Sequence, residues 1–184
     1  MKWIGISGGW RKTNKYIEGY AEVERKVRGA VADAMERGDG IVSGGAIGVD
    51  FFALDEALQH DPEAERIKIF LPTTLERYAE HFRKHAKLGD FTEEACEALI
   101  RDLEELKRRN AAALEENRDG EFTEENKTKK YFERDSSVVE ASDELLAFPV
   151  RTEASASAGT NDTIGKARAK GIPVRIFPFD FTKN

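Results

Sequence analysis

The chain has 184 residues, with 29 Lys and Arg against 35 Asp and Glu, a net charge of −6, and 40% apolar content. That length and apolar fraction predict one domain with a real core, and 15 Gly with 5 Pro exclude a collagenous or low-complexity chain. The acidic balance disfavours a dedicated duplex-binding protein, which carries a basic face, and no apolar run reaches the roughly 18–20 residues of a membrane helix.

The residues Met1 to Ser7 enter strand-like sequence directly, with no signal-peptide pattern. Trp3 to Ser7 predicts a buried first strand, closed by Gly8-Gly9. Val23, Val27, Ala30, Val31, Ala34 and Met35 fall on one helical stripe, which Gly38 and Asp39-Gly40 end. Ile41 to Ser43 is a short second strand running into Gly44-Gly45, and Val49, Phe52, Ala53, Ala57 and Leu58 give the next helix. Ile67 to Leu71 is a third strand, stopped by Pro72, and Leu75 to Ala86 is helical.

From Thr92 to Arg134 the composition shifts, with 22 of 43 residues charged. Leu99, Leu103 and Leu106 mark one apolar stripe, and Asn110 interrupts it. The expectation is a solvated helix or helical hairpin inserted at about 89–133, with Gly120 as a break and the leucine stripe as a surface for a homodimer. Cys96 lies within it, alone in the chain. It is expected to be a small apolar filler, and a lone cysteine favours a reducing, cytoplasmic setting.

The alternation then resumes. Ser136 to Ala141 reads as helix, Glu144 to Phe148 as a fourth strand and Arg151 to Ala158 as a small-residue loop. Thr160 opens a helix that Gly171 stops, and Pro173 to Phe177 is a fifth strand. Strands alternating with helices imply right-handed crossovers, a parallel sheet and helices on both faces. The expected fold is a Rossmann-like α/β sheet of about five strands in the order 3-2-1-4-5.

Ligands of such sheets bind beyond the carboxyl ends of the strands. The glycines stand there, as Gly8-Gly9-Trp10-Arg11, as Ser43-Gly44-Gly45-Ala46-Ile47-Gly48-Val49-Asp50, and as Gly159-Thr160-Asn161-Asp162. Glycine permits close backbone approach, and a following helix offers free N–H groups and a positive dipole end to an anion. The G-x-G-x-x-G and P-loop patterns are absent, since Gly165-Lys166 is followed by Ala167. Arg11 and Ser43 are potential phosphate donors, Asp50 suits a ribose hydroxyl or the helix dipole, and Thr160 an N-cap or a ligand contact. His81 and His85 share a helix face. No HExxH glutamate or third ligand accompanies them, so a solvent-facing pair and no metal are expected.

The segment Ser43 to Asp50, followed by Ala53-Leu54, resembles the SGGA-x-G-[IV]-D motif of the DNA-processing protein A (DprA/Smf) family. Val138 to Ala147, and Gly159-Thr160 through Gly171-Ile172-Pro173-Val174, look like that family's following units. The wider Rossmann-like group includes the "lonely guy" (LOG) phosphoribohydrolases. The resemblance spans 1–88 and 134–178. It implies a nucleotide or nucleotide-derived ligand held by Gly8, Gly9, Arg11, Ser43, Gly44, Gly45, Gly48, Asp50, Gly159 and Thr160, with Arg134 similar to an arginine near the ligand in LOG relatives. No cofactor beyond the nucleotide is implied. Against the LOG pattern PGG-x-GT-x-x-E, Thr163 stands in the place of the acid. A phosphoribohydrolase would draw its carboxylate from Asp162, Asp50 or Glu140. Asp162 is one residue off, which turns a helical side chain by about 100°. A single-stranded-DNA-processing role is the third expectation, opposed by the net charge.

Overall fold

The computed structural model of the protein describes residues 1–9, 17–153 and 156–182. Trp10 and Arg11 lie outside them. Six strands form one parallel sheet: β1 (Trp3–Gly8), β2 (Gly40–Ser43), β3 (Ile67–Leu71), β4 (Leu114–Glu116), β5 (Glu144–Phe148) and β7 (Val174–Ile176), in the order β4-β3-β2-β1-β5-β7. The order 3-2-1-4-5 expected from the alternation is its core. A short parallel pair, β6 (Val150–Arg151) with β8 (Phe179–Asp180), lies apart from the sheet.

Among the described residues six α-helices connect the strands: α1 (Ile17–Glu36), α2 (Val49–His60), α3 (Leu75–Lys87), α4 (Glu93–Arg109), α5 (Lys127–Glu140) and α6 (Ala158–Lys170). The chain steps from β1 through β4 in one direction and then returns past β1 to β5. Right-handed crossovers therefore put α1, α2 and α4 on one face and α5 with α6 on the other. The packing agrees, with α1 on α2, α2 on α4, and α5 on α6. Strand β5 shows both faces at once. Leu146 and Phe148 join the core under α1 and α2, whereas Leu145 and Ala147 pack with Val139, Ile164 and Ala167. The reversal of strand order falls between β1 and β5, where such sheets open a crevice.

The charged insertion is not a solvated arm. It supplies α4 and the edge strand β4, whose register runs Ile69 with Leu114 to Leu71 with Glu116. Cys96, Leu99, Ile100, Leu103 and Leu106 are all buried in the main core. The leucine stripe is therefore spent on the sheet and is not an exposed dimer surface. Its charges sit on the opposite side of the same helix, as in the Arg108 and Arg109 pairs with Glu105. Cys96 is the expected apolar filler, and burial pushes its thiol up to about 11. Among the described residues no helix is long and apolar enough to cross a membrane.

Candidate functional site

The carboxyl edge brings together the ends of β1 and β2 and the starts of α2 and α6. A Cβ on Gly8 would meet Val49 Cγ2, at the start of α2, at 2.5 Å. One on Gly9 would meet Ser157 Oγ, just before α6, at 3.3 Å. The two glycines thus lie between the two helix starts. A hydroxyl chain fastens the same corner: Ser7 donates to Thr163 Oγ1 (3.4 Å), and Thr163 donates to the Gly159 carbonyl (3.0 Å). Thr163, in the place of the LOG acid, is therefore a structural tie.

Arg134 from α5 forms the floor. Its Nη1 donates to Asp50 Oδ2 (3.1 Å), and its Nε stands 2.9 Å from Asp135 Oδ1, an electrostatic contact without hydrogen-bond alignment. The Arg134 side chain is 10% exposed. Its guanidinium fills the volume that a Cβ on residue 44 would need. The Tyr131 ring lies 5.5 Å from the guanidinium carbon, within cation–π range. Burial raises the Asp50 and Asp135 carboxyls above their ordinary values, with Arg134 pulling against it. Burial also works against the charge on Arg134, but Asp135 and Asp50 outweigh it and hold the guanidinium firmly protonated.

Several predicted contacts are engaged elsewhere. Asp50 also accepts from the Ala46 amide (3.2 Å), and Ser43 donates to the Ile6 carbonyl (3.3 Å) and is fully buried. Gly44 and Gly45 are buried too. Gly45 has φ +62°, and a Cβ there would meet Ile69 and Leu71 at 2.8 and 2.9 Å. Gly48, at φ +93°, leads into α2 without a side-chain cap. Asp162 pairs with Lys166, one turn along α6. Glu140 ends α5, just before β5 begins, and so lies at the opposite edge of the sheet. It is not brought to this site.

The start of α6 is different. Ala158 and Gly159 are exposed, and Thr160 is buried. Among the described residues Ser157, at φ +55°, caps no first-turn amide, and its hydroxyl donates to the Val150 carbonyl (2.5 Å). In contrast, Thr74 caps α3 through the Arg77 amide and Thr92 caps α4 through the Ala95 amide. The first turn of α6 is thus exposed at Ala158 and Gly159 and, among the described residues, has no side-chain cap, an arrangement that suits an anion.

Asp135 and Tyr131 join the site without standing in any of the glycine motifs, and Thr163, expected only as the residue in the place of an acid, serves as a tie. Asp135 had a signal: with Tyr131, Val138 and Val139 it falls at i−4, i+3 and i+4 on one helical stripe. A carboxylate on that stripe implies a buried cationic partner. The histidine pair is also not solvent-facing. His81 and His85 are half-buried, and Phe122 packs edge-on to His81 at 5.1 Å.

No family model and no curated protein matches the sequence. A solved structure of DNA processing protein A from Helicobacter pylori, described for its single-stranded DNA binding mode, superposes with a TM-score of 0.52 at 18% identity. The match covers 95% of this chain and 64% of that one. This chain therefore shares the fold of DNA processing protein A, and spans about two thirds or less of that relative.

Proposed function

We propose that this chain binds nucleotidyl phosphate, as single-stranded DNA or as a free nucleotide, at the start of α6 beside Gly8 and Gly9, without obligatory chemistry. The observation that carries this is the first turn of α6, exposed at Ala158 and Gly159 and without a side-chain cap among the described residues, at the reversal of strand order. Gly159 and Thr160 contribute the amides. The Asp50–Arg134–Asp135 cluster has one cation for two carboxylates, so it braces the crevice rather than attracting phosphate. Ser43, Gly44, Gly45, Gly48 and Asp50 act through that brace.

The stretch after Gly9 carries Arg11, Lys12 and Lys15 with Trp10 and Tyr16. Cations with aromatics are the chemistry of single-strand binding, tracking phosphates and stacking bases. That local charge answers the objection from the net acidity. The likeness to a relative with a single-stranded DNA binding mode puts the DNA arm first. Hydrolysis has less support, because Asp50 is held by Arg134, Asp162 by Lys166, and Glu140 lies at the far edge.

The test has three arms on the full chain. Fluorescence anisotropy with a labelled oligo-dT, at two salt concentrations, reads the DNA arm, and salt-sensitive binding supports it. Thermal shift with nucleoside monophosphates reads the nucleotide arm. Chromatography for released base reads hydrolysis. Absence of both binding responses contradicts the proposal, and base release overturns its non-catalytic part.

A further inference from the structure

A second group of side chains lies away from the carboxyl-edge crevice. Helix α3 presents His81 and His85 one turn apart, with ring centroids 4.4 Å from each other. The segment between β4 and α5 brings Glu124 against them, its Oε1 3.9 Å from His85 Nε2. One ligand atom from each of the three lies within 4.8 Å of the other two. His85 Nε2 is buried and has no hydrogen-bond partner. Its other nitrogen, Nδ1, is 2.5 Å from Asp90 Oδ2.

We propose that His81, His85 and Glu124 bind a divalent transition-metal ion of the zinc type, with Asp90 as the outer carboxylate that fixes the His85 ring. Two imidazoles and one carboxylate are a borderline donor set suited to Zn²⁺ or Co²⁺. Donors around a tetrahedral zinc lie roughly 3.3 Å apart, so side-chain rotations that bring these atoms up to about 1.5 Å closer complete the geometry. The Asp90–His85 contact is the carboxylate–histidine arrangement that orients a metal-binding ring and fixes its tautomer.

The surroundings are compatible. Lys127 pairs with Glu124 Oε2, which anchors that carboxylate and leaves Oε1 facing the histidines. Lys84 is the second nearby cation. A groove of about 450 Å³, lined by Arg77, Glu80, Lys84 and Phe122 together with His81 and Glu124, gives water or a small anion access to the fourth coordination position. This site is separate from the phosphate crevice, and either proposal can fail without the other.

The test is titration of the chelator-stripped full chain with Co²⁺, followed by Zn²⁺. One equivalent of Co²⁺ should bind with the visible absorption of tetrahedral cobalt, and Zn²⁺ should displace it. His85→Gln should weaken binding at least 100-fold. Glu124→Gln, on an exposed residue, should weaken it at least 10-fold with an unchanged circular dichroism spectrum. Asp90→Asn should cost about 10–100-fold at the same stoichiometry. Cys96→Ser should change nothing. Absence of a saturable single site, or unchanged affinity in both His85→Gln and Glu124→Gln, overturns the proposal.

Discussion

The Arg134 guanidinium occupies the place of a side chain on residue 44, so Gly44 is glycine because Arg134 needs the room. The contact joins the glycine bend after β2 to α5 on the opposite face of the sheet. It also decides what that bend does. Its backbone is covered by an arginine that two carboxylates hold in place, while Ala158 and Gly159 at the α6 start are exposed.

Gly44→Ala should therefore be severe. The added methyl displaces the guanidinium and breaks a buried ion cluster, which costs about 3–5 kcal/mol. Gly159→Ala is the contrast, since among the described residues its Cβ would come no nearer than 3.9 Å to a neighbour, Asp135 Oδ2. It should be neutral or stabilise α6 by about 0.5–1 kcal/mol. Urea denaturation of the two variants checks the difference, and equal stabilities would contradict the packing described.

Arg134→Met should also cost about 3–5 kcal/mol, because two buried carboxylates lose their cation. Its pH dependence has a definite sign. Burial already raises both carboxyls above 3.8, and loss of the guanidinium raises them further. The folded variant then keeps protons that the unfolded chain releases, so stability is greatest in acid and falls as pH rises through the folded-state values. The deficit against the wild type should be smaller at pH 5 than at pH 8. A deficit independent of pH would show that Asp50 and Asp135 do not feel Arg134.

Leu103→Ala tests the place of α4. Leu103 is fully buried among the core residues of the main sheet face, so truncation should cost about 2–5 kcal/mol. A cost under about 0.5 kcal/mol, typical of an exposed position, would restore the solvated-arm expectation.

The sheet was legible because its strands are apolar runs closed by turn residues. Ile67–Leu71 and Glu144–Phe148 are strands over the bounds that pattern predicts. The edge strand was not, because Leu114–Glu116 is three residues long and two of them are acidic. In α4 the charge density hid a good core stripe: Cys96, Leu99, Ile100, Leu103 and Leu106 have helical spacing. The glycine bends were legible as positions but not as roles. Which bend is covered depends on Arg134, and the partners that hold it come from α2 and α5. Glu124 illustrates the same limit, since no local spacing links it to His81 and His85 on α3.

The most direct measurement of the central claim is oligo-dT and nucleotide binding by Gly159→Asp. An aspartate in the first turn suits the helix dipole, which offsets the nearness of its Cβ to Asp135 Oδ2 at 3.9 Å, so the fold should be retained with little change in melting temperature. The carboxylate would stand where the phosphate is proposed to sit. The account predicts at least a 10-fold loss of affinity for the ligand that the wild type binds, with the melting temperature retained. Undiminished binding by this variant would contradict it.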